Sequence, residues 1–494
     1  MGQEKQYIAV DLGAESGRVM LGAVSKNIIR LEEVHRFSNH PVREGQSLRW
    51  DFRALFSEIK NGIEKAIKQC KGLIDGIGVD SWGVDYGLVG ENGSLLENPY
   101  HYRDSRTDGI PEKAFELMDK KDIYNHTGIQ LMQINTVYQL LAAHLSNPEL
   151  LKRAKTLLLM ADLVSYYLCG KICAEFTLAS TSGLMDMRTG QWSKQIFNHL
   201  SLPIEIMPEV VRSGTVLGKL NNELCRELGC EPINVIAVGS HDTASAVAAV
   251  PAKKDKWAFL SSGTWSLLGV EIPEVIINGQ TFEYQFTNEG GIDGTIRLLK
   301  NIMGLWLVQE CRRQWQNKGQ ELSYAQLTKM AQNAPAFAGY IDTSSPLFLS
   351  PGQMPNKMND YLIQSGQAPI ADKGTMIRVI FESLALNYTR VLEQIETLTG
   401  NPINCLHIVG GGIQNELLCQ FTANATGKKI LAGPVEATAT GNILMQARAR
   451  GQIDTIDTAR KIVRNSFKPK EYLPQHTKLW ENKYQEIKRY YKNQ

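Results

Sequence analysis

The chain lacks most of what would set it apart from an ordinary globular protein. Its 494 residues include 8 cysteines but no CxxC pair, so neither a zinc cage nor a disulfide framework is expected. Scattered in this way, the thiols read as mostly buried groups of a protein in a reducing compartment. Charge of one sign is lacking too. With 53 basic and 51 acidic residues the formal net charge is +2, which removes the electrostatic case for nucleic acid or an anionic membrane. The longest apolar run, 157–169, is interrupted by Asp162 and too short to span a bilayer. The opening MGQEKQYIAVDLG has neither the basic segment nor the apolar core of a signal peptide, and Gln6 stands where a myristoylation motif needs Ser or Thr. The expectation is a cytoplasmic protein, monomeric or a small homo-oligomer, with no nucleic-acid and no membrane partner.

Two common nucleotide fingerprints are also missing. Gly427 precedes Lys428, but no glycine occupies the earlier position that a P-loop requires. The triple glycine Gly410–Gly412 is followed by Ile413, Gln414 and Asn415 without the closing glycine of a dinucleotide-binding turn. These absences leave room for a phosphate chain held by the backbone N–H groups of hairpin turns, with Mg²⁺ supplying positive charge.

The chain is too long for one core, and its composition, 43% hydrophobic and 21% charged, is that of a folded globular protein. Residues 7–24, YIAVDLGAESGRVMLGAV, read as a β-hairpin around a small polar loop. A strand is expected over 28–37 and a helix over 51–68. The segment PAKKDK at 251–256 is a polar break, and after it WAFLSSGTWSLLGV repeats the hairpin pattern. The expected organisation is one domain over 1–250, a second over 251–455 and a helical tail over 456–494. Two such hairpins, one per domain, would clamp a phosphate chain from both sides. Asp11 would help to position Mg²⁺, and Gly410–Gly412 would let a nucleoside approach the backbone.

Between the hairpins lies NVIAVGSHDTASAVAAV, residues 234–250. An apolar run ends at Gly239, a polar cluster follows, and an Ala-rich helix begins at Asp242. Phosphoryl transfer to a hydroxyl needs a carboxylate to accept the proton, and Asp242 at a helix N-terminus suits that task because the macrodipole favours its ionised form. The competing reading of Asp242 is a helix N-cap. His241 has the competing reading of a packing residue. Asp80, Trp82, Gly83 and Asp85 form a polar, Gly-punctuated strand end suited to a polyol, which Arg103 and Asp104 would extend. Its plainer interpretation is a solvated strand end with a core tryptophan and a surface ion pair.

In combination these segments resemble the FGGY carbohydrate kinases. The resemblance runs from Tyr7 to about Arg450, on VDLGAESGRVMLG, GVDSWGVDYGL, VGSHDTASAVAAVP, FLSSGTWSLLGVE, NEGGIDGTIRLLKNIMGLWLVQE and LHIVGGGIQN. It implies an α/β, actin-like ATPase built of two ribonuclease-H-like domains with the active-site cleft between them. It implies ATP- and Mg²⁺-dependent phosphorylation of a small sugar, L-rhamnulose at its 1-hydroxyl, with L-fuculose, xylulose or glycerol as alternatives. Carried over by the resemblance, Asp242 is the proton acceptor and Gly83, His241, Thr243 and Asn301 are sugar contacts. Ala14, Glu15, Ser16, Gly17, Arg18, Thr264, Gln309 and Gly412 contact ATP. Glu15 departs from the small Ser that the pattern expects. Further alternatives are a non-enzymatic, actin-like ATP switch and a nicotinamide-dependent dehydrogenase, the latter resting on the triple glycine alone.

Overall fold

The computed structural model describes residues 4–253 and 256–491. Lys254 and Asp255, inside the break expected at 251–256, lie outside them. So do residues 1–3 and 492–494, which belong to the expected domains 1–250 and 456–494. The chain divides into two compact units that alternate along the sequence. The first comprises Met1–Pro251, Glu271–Leu298 and Ala437–Phe467; the second comprises Ala252–Val270, Leu299–Glu436 and Lys468–Gln494.

The first unit is built on a sheet with strand order Val216–Lys219, Asn234–Ile236, Ile74–Ser81, Lys5–Leu12, Ser16–Val24, Ile29–Ser38. Lys5–Leu12 pairs antiparallel with Ser16–Val24 and parallel with Ile74–Ser81, which in turn runs parallel to Asn234–Ile236. Tyr7, Ile8, Ala9 and Val10 are all fully buried, as an unbroken apolar run in a strand covered on both faces requires. Helix Phe52–Gln69 starts where Asp51 accepts a bond from the Ala54 N–H, and it buries Leu55, Ile59 and Ile63 at helical spacing.

Helix Ala437–Ala449 packs against the same sheet from far along the chain. Gln446 Nε2 donates to the Ile8 carbonyl at 2.9 Å, and Ile443 fills the space where Gly22 has no side chain. Gly441 lies against the Ser245 carbonyl of helix Asp242–Ala248, so close that a Cβ there would overlap it.

In the second unit Trp257–Ser262 pairs antiparallel with Trp265–Ile272 and parallel with Cys405–Val409, which runs parallel to Lys429–Ala432. The hairpin therefore recurs, as its sequence pattern indicated, and the structure adds a parallel neighbour to each. Gly427 ends helix Glu416–Thr426 with φ 64°, and Gly400 ends helix Lys373–Thr399 in the same way. The tail, expected to be helical, also contributes a strand, Lys470–Tyr472, antiparallel to Lys429–Ala432. Three residues between Pro469 and Leu473 are too short a stretch to show a period of two. The eight cysteines are free thiols, four buried and four partly exposed. Among the described residues no helix is long and apolar enough to cross a membrane.

Candidate active site

The C-terminal ends of the parallel strands in the first unit bring three carboxylates together. Register places Asp11 opposite Asp80 on one side and Arg18 on the other. The segment that follows Asn234–Ile236 returns alongside, where Ser81 bridges His241 and the Ser81 N–H donates to the Ser240 carbonyl at 2.8 Å. In open α/β sheets this end of the strands is where ligands bind. Asp11 and Asp80 are buried, Arg18 donates to Asp11 at 2.7 Å, and Asn442 donates to Asp80 at 2.6 Å. The other Asp80 oxygen has no hydrogen-bond partner among the described residues. Burial first, then the charge of Asp11, raises the Asp80 carboxyl well above the usual carboxylate range.

Asp242 is the most open of the three, with its side chain 33% exposed. It is the first residue of helix Asp242–Ala248, and the cap position belongs to His241, whose side chain makes no capping bond. Asp242 is therefore not an N-cap. Its Oδ1 accepts from the Thr243 N–H at 2.6 Å and hydroxyl at 3.2 Å, with His241 Nε2 at 3.4 Å. The macrodipole argument predicts a lowered pKa, but the carboxyl is raised above its ordinary value. Burial contributes most and Asp11 adds to it, against the lowering effects of His241 and the Thr243 bonds. A seven-residue helix end is outweighed by desolvation and a like charge.

Groups to which the sequence assigned no role hold the turn in place. Glu175, buried, accepts with one oxygen from the N–H groups of Thr177, Leu178 and Ser240, at 2.9, 3.2 and 3.1 Å. The Thr177 hydroxyl donates to Glu175 and accepts from the His241 N–H at 3.2 Å. Desolvation pushes the Glu175 carboxyl up to about 7. Behind His241, Glu289 lies 3.2 Å from Nδ1, and the fully buried Arg297 lies 3.0 Å from Nδ1 and 3.1 Å from Glu289. Glu175 lies 67 residues before Asp242, and Glu289 and Arg297 lie 47 and 55 residues after it, so spacing carried no signal for their meeting at this turn.

The cluster at 80–85 is not a row of carboxylates open to a polyol. Asp85 is buried and saturated, accepting from Trp50 Nε1 (2.7 Å), Trp82 Nε1 (3.0 Å), the Tyr102 N–H (3.2 Å) and Gln139 Nε2 (2.9 Å). Trp82 packs against Trp50, the ring centroids 4.5 Å apart and the rings tilted by 43°. Asp104 is spent on the backbone N–H groups of Leu48 and Arg106. Arg103 lies over the Tyr102 ring at 5.2 Å. Gly83 remains half-buried at the strand end, next to Thr181.

Residues expected to contact ATP fall in both units. In the first, the hairpin turn holding Ala14, Glu15, Ser16, Gly17 and Arg18 has its acceptors engaged. Gly13 donates to the Ser16 carbonyl, while Asn39 donates to the carbonyls of Gly13 and Glu15. The Ala14 N–H has no protein partner among the described residues, so the turn presents a donor, as an anion requires. In the second unit Gln309 Nε2 donates to the Thr264 hydroxyl at 3.3 Å. At Gly412 the missing side chain makes room for Ser262, and the open, exposed glycine is Gly411. Asn301 lies half-buried on strand Ile296–Met303. Among the described residues no three His, Cys, Asp or Glu side chains converge as a metal cage. A Mg²⁺ held mainly by phosphate oxygens and water needs only one or two carboxylates, and Asp11, with one oxygen on Arg18, fits that demand.

Comparison with known proteins places this geometry. Residues 6–249 match the N-terminal domain, and 258–450 the C-terminal domain, of the FGGY family of carbohydrate kinases. A rhamnulokinase of Bacteroides thetaiotaomicron is 41% identical over 97% of this chain and 98% of its own length. One from Bacillus subtilis is 38% identical over 95% of each. The fold is that of a xylulose kinase from Lactobacillus acidophilus (TM-score 0.80, 16% identity, 98% of each chain). It is also that of a Plasmodium falciparum glycerol kinase with ADP (TM-score 0.76, 16% identity, 99% of this chain and 97% of that one). With both family domains matched in order and relatives aligned over nearly the whole length, this actin-like α/β chain belongs to the FGGY family of carbohydrate kinases.

Proposed function

We propose that this kinase transfers the γ-phosphoryl group of ATP to the 1-hydroxyl of L-rhamnulose, with Asp242 as general base. Support for the sugar comes from the relatives' activity, since curated rhamnulokinases align at 37–41% identity. Support for the base is one observation. Of the three acids that meet at the strand ends, only Asp242 is substantially open, and its Oδ2 has no protein partner among the described residues. That oxygen takes the proton as the sugar hydroxyl attacks. A raised carboxyl brings its basicity nearer the working pH, which favours proton acceptance.

His241 and Thr243 flank the acceptor; Gly83 and Asn301 are the further sugar contacts. The N–H groups of the Ala14–Arg18 turn, with Thr264, Gln309 and Gly412, hold ATP. Mg²⁺, held by Asp11 and the phosphates, would neutralise charge on the nucleotide. Arg18 holds the Asp11 side chain in place. The sugar site apart from Asn301, the first phosphate turn and the base belong to residues 1–250, and the second phosphate turn and nucleoside side to 251–455.

Asp242→Asn is expected to lower kcat for L-rhamnulose by about 10²–10⁴-fold while ATP still binds. Full turnover by this variant would remove Asp242 from the chemistry. ADP release with L-rhamnulose, L-fuculose, xylulose and glycerol checks the substrate; equal or faster turnover of any of the other three would overturn L-rhamnulose.

A further inference from the structure

The turn that joins strand Ile74–Ser81 to strand Tyr86–Gly90 contains the least expected backbone of the first unit. Val84 has φ 71°, a conformation that a β-branched side chain almost never adopts. The Asp85 N–H donates back to the Gly83 carbonyl at 3.0 Å, closing a three-residue γ-turn around Val84. With a positive φ this turn is rare and strained, and such strain persists only where the surroundings over-determine it.

They do so here. The Val84 carbonyl accepts from the Thr136 hydroxyl at 2.7 Å and from Gln139 Nε2 at 3.3 Å. The Val84 N–H donates to the Thr181 hydroxyl at 3.3 Å, which itself donates to the Leu178 carbonyl at 2.8 Å. Gln139 also holds Asp85, and Asp85 holds the indoles of Trp50 and Trp82. Every polar group of Val84 is therefore clamped. The residue before it is the opposite: the Gly83 N–H has no partner among the described residues. Gly83 lies two positions beyond Ser81, which is bridged to His241, so this free donor sits beside the turn that carries Asp242.

We propose that the Gly83–Val84–Asp85 γ-turn is a specificity element for the acceptor. In it the Gly83 N–H donates to a sugar hydroxyl, and Thr136, Thr181 and Gln139 are positioning residues that fix its aim. The ligand class is a polyhydroxylated chain or ring, with one oxygen accepting from the backbone. The strain explains why three side chains from two elements, helix Thr136–Ser146 and the turn Ser180–Ser182, are spent on one residue: a relaxed turn would rotate the donor away. The inference rests on the reading that the acceptor binds at this end of the strands.

Thr136→Val removes the hydroxyl that holds the Val84 carbonyl and keeps the shape. Thr181→Val removes the acceptor for the Val84 N–H, and Thr181→Ser restores it. Each valine variant is expected to raise KM for the sugar roughly five- to tenfold, the worth of one hydrogen bond, with KM for ATP within about twofold. Thr181→Ser is expected to stay near wild type. A merely structural role would lower the melting temperature without this split. Unchanged sugar KM in both valine variants, or sugar and ATP KM moving together, overturns the proposal. The assay uses whichever of L-rhamnulose, L-fuculose, xylulose and glycerol the wild type turns over fastest. A preference other than L-rhamnulose would refute the assigned substrate and still test the turn.

Discussion

At the residue scale, Glu175 shows how a site is supported from behind. It accepts the N–H of Ser240 and, through Thr177, steadies that of His241, so the two residues before Asp242 hang on one buried carboxyl. Burial raises that carboxyl from 4.5 to about 7. The folded state then holds a proton that the unfolded state has lost. This contribution to stability is complete below about pH 4.5 and lost as pH rises to about 7. Glu175→Gln should flatten the fall of melting temperature across that window, by up to roughly 3 kcal/mol of pH dependence. Melting curves between pH 4 and 8 check it, and an unaltered slope would mean that Glu175 does not titrate there.

Asp242 itself was legible, because an apolar run that breaks into Gly-Ser-His-Asp before an Ala-rich helix is a local pattern. Asp85 was misleading for a related reason. A carboxylate in a Gly-punctuated strand end looks the same whether it faces solvent or four buried donors. Only the partners, Trp50, Tyr102 and Gln139, distinguish the cases, and they lie up to 54 positions away.

At the scale of elements, the two hairpins and the capped helices could be read because their signals are local: alternation, small-residue turns, Asp before and Gly after a helix. The packing of helix Asp242–Ala248 on helix Ala437–Ala449 could not. It depends on Gly441 meeting the Ser245 carbonyl and on Gly239 leaving room for Ser245, whose hydroxyl returns to the Gly239 carbonyl at 2.7 Å. Gly441→Ala would force the helices apart and is expected to cost about 1–3 kcal/mol. It should also lower kcat more than KM for ATP, since the displaced helix carries Asp242. Thermal unfolding and initial rates on the same preparation check both; wild-type values in each would show that the contact relaxes freely.

At the scale of the whole molecule, sequence order and spatial order part company. The first unit collects Glu271–Leu298 and Ala437–Phe467 from beyond its first contiguous stretch. Without them Asp80 loses Asn442, the Ile8 carbonyl loses Gln446, and His241 loses Glu289 and Arg297. A fragment ending at residue 251 is therefore expected to melt without a cooperative transition, because one face of its sheet and several buried polar groups lack their partners. Circular dichroism decides; a sharp, native-like transition would show that the fragment folds alone.

What the sequence by itself determined is what nearest neighbours along the chain decide: the strand and helix periods, the small-residue hairpin turns and the acid at a helix start. The family follows from these because its motifs are each contiguous. Tertiary structure decided which acid is open and which are buried, what holds the Ser240–Asp242 turn, and that Val84 is clamped in a strained turn. Those properties depend on groups that meet across tens to hundreds of residues. Burial, which sets both the charge state and the availability of a carboxylate, is a property of the assembled core and has no local signature.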